Sequence, residues 1–200
     1  MKRWLLAVVL PLVVFVPIPS AAQVVWDAPS LIRPGAPTGL SAMLLDAYPG
    51  DELGALVQWR RAPAPLGLGF RVGVTDDARG DLAALFGVDV SGPVSQVQGS
   101  GEPDVIWWTG AGLGVGEEVV VSFPVGLSLG WNLRGNGVVF SPNFGGHVAL
   151  DVISGPGDDL DVDASVDLGV DLGFESGLMA RFSAAIGGRE AFAVGVRLPH

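Results

Sequence analysis

Cysteine is absent from this 200-residue chain, lysine occurs once and histidine twice. Without thiols there is no disulfide scaffold, thiolate metal site, cysteine nucleophile or cysteine-linked lipid anchor. The 21 acidic residues outnumber the 11 basic ones, a formal net charge of −10. No basic stripe exists to neutralise phosphates, so nucleic acid is not an expected partner. Beyond residue 22 no apolar run approaches the roughly eighteen residues of a membrane-spanning helix. Helical periodicity is nearly missing from Gly39 onward. What remains is 49% apolar and only 16% charged, the reverse of a disordered composition. Its 30 glycines carry no three-residue period, which excludes collagen. Gly110, Gly112, Gly114 and Gly116 lack both the lysine and the strand-to-helix setting of a phosphate loop.

The first residues read as a targeting segment. Met1-Lys2-Arg3 is a short basic start, Trp4 to Ile18 is almost wholly apolar, and Ser20-Ala21-Ala22 supplies small residues before Gln23. Residues 1–22 are therefore expected to be a cleaved secretory signal peptide. The apolar run has only about fifteen residues, against roughly twenty for a spanning helix, and Pro11, Pro17 and Pro19 interrupt it. Removing it takes away Lys2 and Arg3, leaving nine Arg against 21 acids, a net charge of −12. Residues 23–38 form a Pro-rich extended arm, and 39–200 a single domain.

That domain is written in period two. Val119, Val121, Phe123, Val125, Leu127, Leu129, Trp131 and Leu133 alternate with mostly small or polar residues. Leu160, Val162, Ala164, Val166, Leu168, Val170, Leu172 and Phe174 alternate with Asp161, Asp163, Ser165, Asp167, Gly169, Asp171, Gly173 and Glu175. Shorter versions run over 66–74, 178–186 and 192–198. Turn signals separate them: Pro49-Gly50-Asp51, Gly135-Asn136-Gly137, Gly155-Pro156-Gly157-Asp158-Asp159, Ser176-Gly177 and Gly187-Gly188. The pattern predicts about eight to ten strands, near 39–47, 53–61, 66–75, 82–90, 104–114, 118–134, 137–153, 160–175, 178–187 and 190–198. Residues 91–103 read as the longest loop.

Two architectures make such a pattern. A soluble β-sandwich, secreted or periplasmic and acting as a binding module, buries the apolar register. A closed antiparallel up-and-down transmembrane β-barrel turns it to lipid and keeps the polar register in its lumen. Three features favour the barrel. Two runs reach fifteen residues or more, where strands of soluble domains mostly have five or six. The polar register is rich in glycine, which weakens a water-facing strand but leaves room inside a narrow barrel. That register also carries both signs of charge, and charges enclosed together must pair. The expected lumen network is Arg60, Arg71, Arg134, Arg181 and Arg197 against Asp161, Asp163, Asp167, Asp171 and Glu175. Trp59, Trp107, Trp108, Trp131, Phe123, Phe174 and Tyr48 are expected near the membrane interfaces.

Together, the leader, the glycine-rich alternation through Phe192, Val194, Val196 and Leu198, and the lack of Cys resemble the small outer-membrane β-barrel proteins of Gram-negative bacteria. The resemblance covers about residues 39–198 and is one of pattern. It implies export to the outer membrane, outer-membrane lipids and the barrel assembly machinery as partners, and a structural or interaction role or limited small-solute passage. No cofactor and no enzymatic activity are expected. Ser141, His147 and Asp151 have the residue types of a hydrolytic triad, but nothing in their context orders them. Asp159 to Asp163 opens like a calcium loop, yet Ala164 and Val170 stand where Gly and Glu are needed.

Overall fold

The computed structural model describes residues 38–47, 52–61, 66–76, 82–95, 103–116, 118–154, 159–188 and 190–199. The expected signal peptide, residues 23–37 of the arm, Tyr48, the turns 49–51 and 155–158, and His200 lie outside them. Every regular element described is a strand: β1 Gly39–Ala47, β2 Glu52–Arg61, β3 Gly67–Asp76, β4 Leu82–Ser95, β5 Asp104–Val115, β6 Val119–Gly130, β7 Leu133–Gly135, β8 Val138–Ser154, β9 Asp159–Phe174, β10 Met179–Gly187 and β11 Ala191–Arg197. Consecutive strands pair antiparallel, except β6 and β7, which follow one another along the same partner β8. β1 meets β11, and β8 reaches past the short β7 to β6. The result is a closed ten-stranded up-and-down barrel, with β7 continuing β6 beyond the wall. β1 starts and β11 ends at the same end, here called the termini end. The strands β2, β4, β7 and β9 end there, and β3, β5, β8 and β10 start there.

The register fixes the girth. From Gly195, paired residues traced through β1 to β6 arrive on β8 at Ile153. Traced the other way, through β10 and β9, they arrive at Ser141, twelve residues away. Ten strands with that stagger tilt by about 40° and put the backbone on a cylinder of radius about 10 Å. Such a cylinder is narrow enough for side chains to fill.

Alternation then decides which side chains go in. Val125, Leu127 and Val166 are 58%, 56% and 52% exposed. Val121 and Leu172 share their outward register and do not meet in a core. The inner register is glycine, serine, charged groups and a few large apolar residues. Among the described residues, Met43, Leu45, Leu56, Leu85 and Ala193 form an apolar cluster in the lumen against β1, β2, β4 and β11.

Two expected boundaries moved, and proline accounts for one. The run expected over 118–134 breaks between Gly130 and Leu133, although β7 keeps the same register on β8. The Trp131 amide donates to the Pro142 carbonyl at 3.1 Å, but Pro142 has no N–H to return. The turn that follows has Asn136 at φ 49° and Gly137 at φ 76°, the two-residue left-handed turn that Asn-Gly favours. The other boundary is β4, which runs to Ser95, past an irregularity between Pro93 and Ser95, and so takes up the start of the expected loop.

Candidate functional site

The lumen gathers most of the chain's buried polar chemistry. Arg60 near the end of β2, Arg71 on β3 and Asp89 on β4 converge on one wall. Asp89 is wholly enclosed and accepts hydrogen bonds from Arg60 Nη2 and, at 2.7 Å, from Arg71 Nη2. Arg60 Nη1 also donates to Ser91 Oγ at 3.0 Å. This packing needs Gly69, because a Cβ there would fall on Asp89 Oδ2. A carboxylate shared by two guanidiniums offsets the several kcal/mol that each enclosed ion loses in desolvation.

A second pair lies on the neighbouring wall at the termini end. Arg181 donates to Asp171 as a fork, Nε to Oδ1 at 2.8 Å and Nη2 to Oδ2 at 3.0 Å. The cause is direct: Arg181 and Asp171 are cross-strand partners on β10 and β9, both facing inward. Arg197 on β11 is half-buried beside them, with Nη2 donating to the Gly177 carbonyl at 3.4 Å. Arg60 lies within electrostatic reach of both Arg71 and Arg181, so the two clusters share the termini half of the lumen.

A third contact is made by His147 on β8, with Nδ1 2.9 Å from Asp167 Oδ2 on β9. The Trp108 ring lies against it at 5.5 Å between centroids. Trp108 points inward and is 6% exposed, not at an interface as expected. Consecutive Trp107 and Trp108 must take opposite faces, and Gly126 opposite Trp108 leaves room for the indole; a Cβ there would stand 2.7 Å from its Cε2.

The expected network is thus partly assembled. Arg60, Arg71, Arg181, Asp167 and Asp171 are buried in the lumen, and Asp161, Asp163 and Arg197 are half-buried on its inner register. Arg134 and Glu175 stand exposed on the β7–β8 hairpin and the β9–β10 turn, outside it. Two further buried acids, Asp89 and Asp151, were not part of the expected network. Their signal was the same alternation in shorter runs, Asp89 between Val88 and Val90 and Asp151 between Leu150 and Val152. Ser141, His147 and Asp151 do not form a triad. All lie on β8, where six and four residue steps separate them by about 20 and 13 Å, and Ser141 bonds Asn132 instead. Among the described residues no three His, Asp or Glu side chains group as metal ligands.

No protein-family model matches the chain, and no curated protein matches it either.

Proposed function

We propose that the chain is an outer-membrane β-barrel protein, exported by way of its leader, with lipid around it and a narrow, charge-paired lumen within. Its role is structural or interactive, or limited to the passage of small solutes. The observation that carries this reading is the outward apolar band around a closed barrel. On β6 the band runs from Val119 to Leu129, ten residue steps. At about 3.3 Å per step and 40° of tilt it is about 25 Å tall along the axis, the height of the apolar band of outer-membrane barrels. Wrapped round a cylinder of about 10 Å radius, it covers on the order of 1,500 Å², against the few hundred Å² of apolar patch usual on a soluble monomer.

The polar groups inside the band support the same reading. Thr109 stands in its middle on β5, and its hydroxyl donates to the Pro124 carbonyl at 2.9 Å. The β5–β6 pairing skips Pro124, which has no N–H, and the threonine satisfies the carbonyl left there. In hydrocarbon every such group must find its partner within the protein. The assembly machinery and membrane lipids are the partners this reading implies.

Cell fractionation with heat-modifiable gel mobility tests it. The expected result is a membrane-fraction protein whose folded form migrates apart from its boiled form. A protein confined to the soluble fraction, monodisperse without detergent, would overturn the proposal in favour of a secreted or periplasmic binding domain.

A further inference from the structure

The β7–β8 hairpin and the end of β9 border an open cleft of about 410 Å³ at the termini end of the barrel. Its volume falls within the range of small-molecule sites. Arg134 on β7, Gly137, Val138 and Val139 on the return of the hairpin, and Phe174 and Glu175 at the end of β9 line it. Both sides are held in place. Three residue pairs fix β7 on β8, and Asn136 and Gly137 close the hairpin in its left-handed turn. Opposite, the Phe174 amide donates to the Leu178 carbonyl and the Gly177 amide to the Phe174 carbonyl, each at 2.9 Å, so Glu175 stands on a tight turn. Gly137 lets its carboxylate come close, since a Cβ there would lie 2.6 Å from Glu175 Oε1.

The charges of the cleft narrow what it suits. Arg134 pairs with Val139, and Val139 with Gly173, two residues before Glu175. Arg134 and Glu175 therefore rise from strands on either side of Val139, about two strand spacings or 10 Å apart. Both are exposed and line the same cleft, yet among the described residues neither has an ion-pair or hydrogen-bond partner. A guanidinium fork recognises carboxylate or phosphate, and a carboxylate accepts from an ammonium group. A lone anion would meet Glu175 as a like charge, and a lone cation would meet Arg134 in the same way. A molecule carrying both charges complements both. Val138, Val139 and Phe174 add apolar surface for its carbon skeleton.

We propose that this cleft binds a small zwitterion, its carboxylate or phosphate on Arg134 and its primary ammonium on Glu175. Two sources share that chemistry, a free α-amino acid and the headgroup of an ethanolamine phospholipid. Binding itself does not require a bilayer. The test refolds the mature chain in detergent micelles, with heat-modifiable mobility confirming the barrel. Leucine and O-phosphoethanolamine are then titrated to about 20 mM by calorimetry, with acetate and ethylammonium as singly charged controls. At least one zwitterion should saturate, about tenfold or more tightly than either control. Tighter binding of leucine assigns the site to a free amino acid, and tighter binding of O-phosphoethanolamine assigns it to a headgroup. Arg134→Gln and Glu175→Gln should each weaken that binding about tenfold. Both side chains are exposed, so both variants should fold, and their mobility checks it. The proposal is overturned if neither zwitterion saturates, if a control binds as tightly, or if either folded variant binds as the wild type does. A chain that stays folded and monodisperse without micelles would refute the membrane reading and leave the titrations valid.

Discussion

Val125→Arg separates lipid from water as the surroundings of the barrel. Val125 is 58% exposed on the outer register of β6. It lies six residue steps from Val119 and four from Leu129, about 15 and 10 Å from the two edges of the band along the axis. An arginine at that depth in a bilayer costs about 2–4 kcal/mol, whereas one near an interface costs about 0–1 kcal/mol. Val119→Arg, at the edge and itself 37% exposed, is the matched control. Around a water-exposed barrel both changes are ordinary surface substitutions, each within about 0.5 kcal/mol. The assay is urea unfolding of the two variants and the wild-type chain refolded into lipid vesicles, followed by tryptophan fluorescence. The membrane reading expects Val125→Arg to lose at least about 2 kcal/mol more than Val119→Arg. Equal small losses at both sites would refute it.

Other expectations follow from the lumen. Asp89→Asn removes the negative charge and one of the two acceptor oxygens shared by Arg60 and Arg71, setting an NH2 against a guanidinium and leaving both cations enclosed; a loss of about 3–5 kcal/mol in the same unfolding assay is expected. Gly126→Leu drives a side chain into the Trp108 indole, and should destabilise the barrel by about 1–3 kcal/mol and shift the fluorescence of that ring. Gly135→Ala is its control, since a Cβ there meets nothing within 4 Å, and its midpoint should stay within about 0.5 kcal/mol of wild type. Gly137→Val places a β-branched residue at φ 76°; thermal unfolding should report a loss of about 1–2 kcal/mol.

Much of the barrel could be read from the chain because side-chain direction in a strand has a period of two. Any run that alternates as cleanly as Leu160 to Phe174 has only two faces to offer. The Asn136-Gly137 turn was equally local, being set by two residues that tolerate positive φ. Where the reading fell short, the determinant was another strand. Nothing within 82–95 shows that the Asp89 carboxylate will sit between Arg60 and Arg71. That contact depends on the β2–β3 and β3–β4 registers acting together. Likewise Trp107 and Trp108 are equivalent in sequence until pairing with β6 sends one inward over Gly126.

Composition and alternation by themselves thus determined that the chain is all-β, that one face of each strand is apolar and that the other is small or charged. The tertiary structure alone decided that ten strands close with a stagger of twelve. It also decided that the apolar face is the convex one, and which charges meet across the lumen. The physical reason is range. Alternation is a property of adjacent peptide units, whereas closure and partner choice come from registers summed around the whole ring, which no single segment contains.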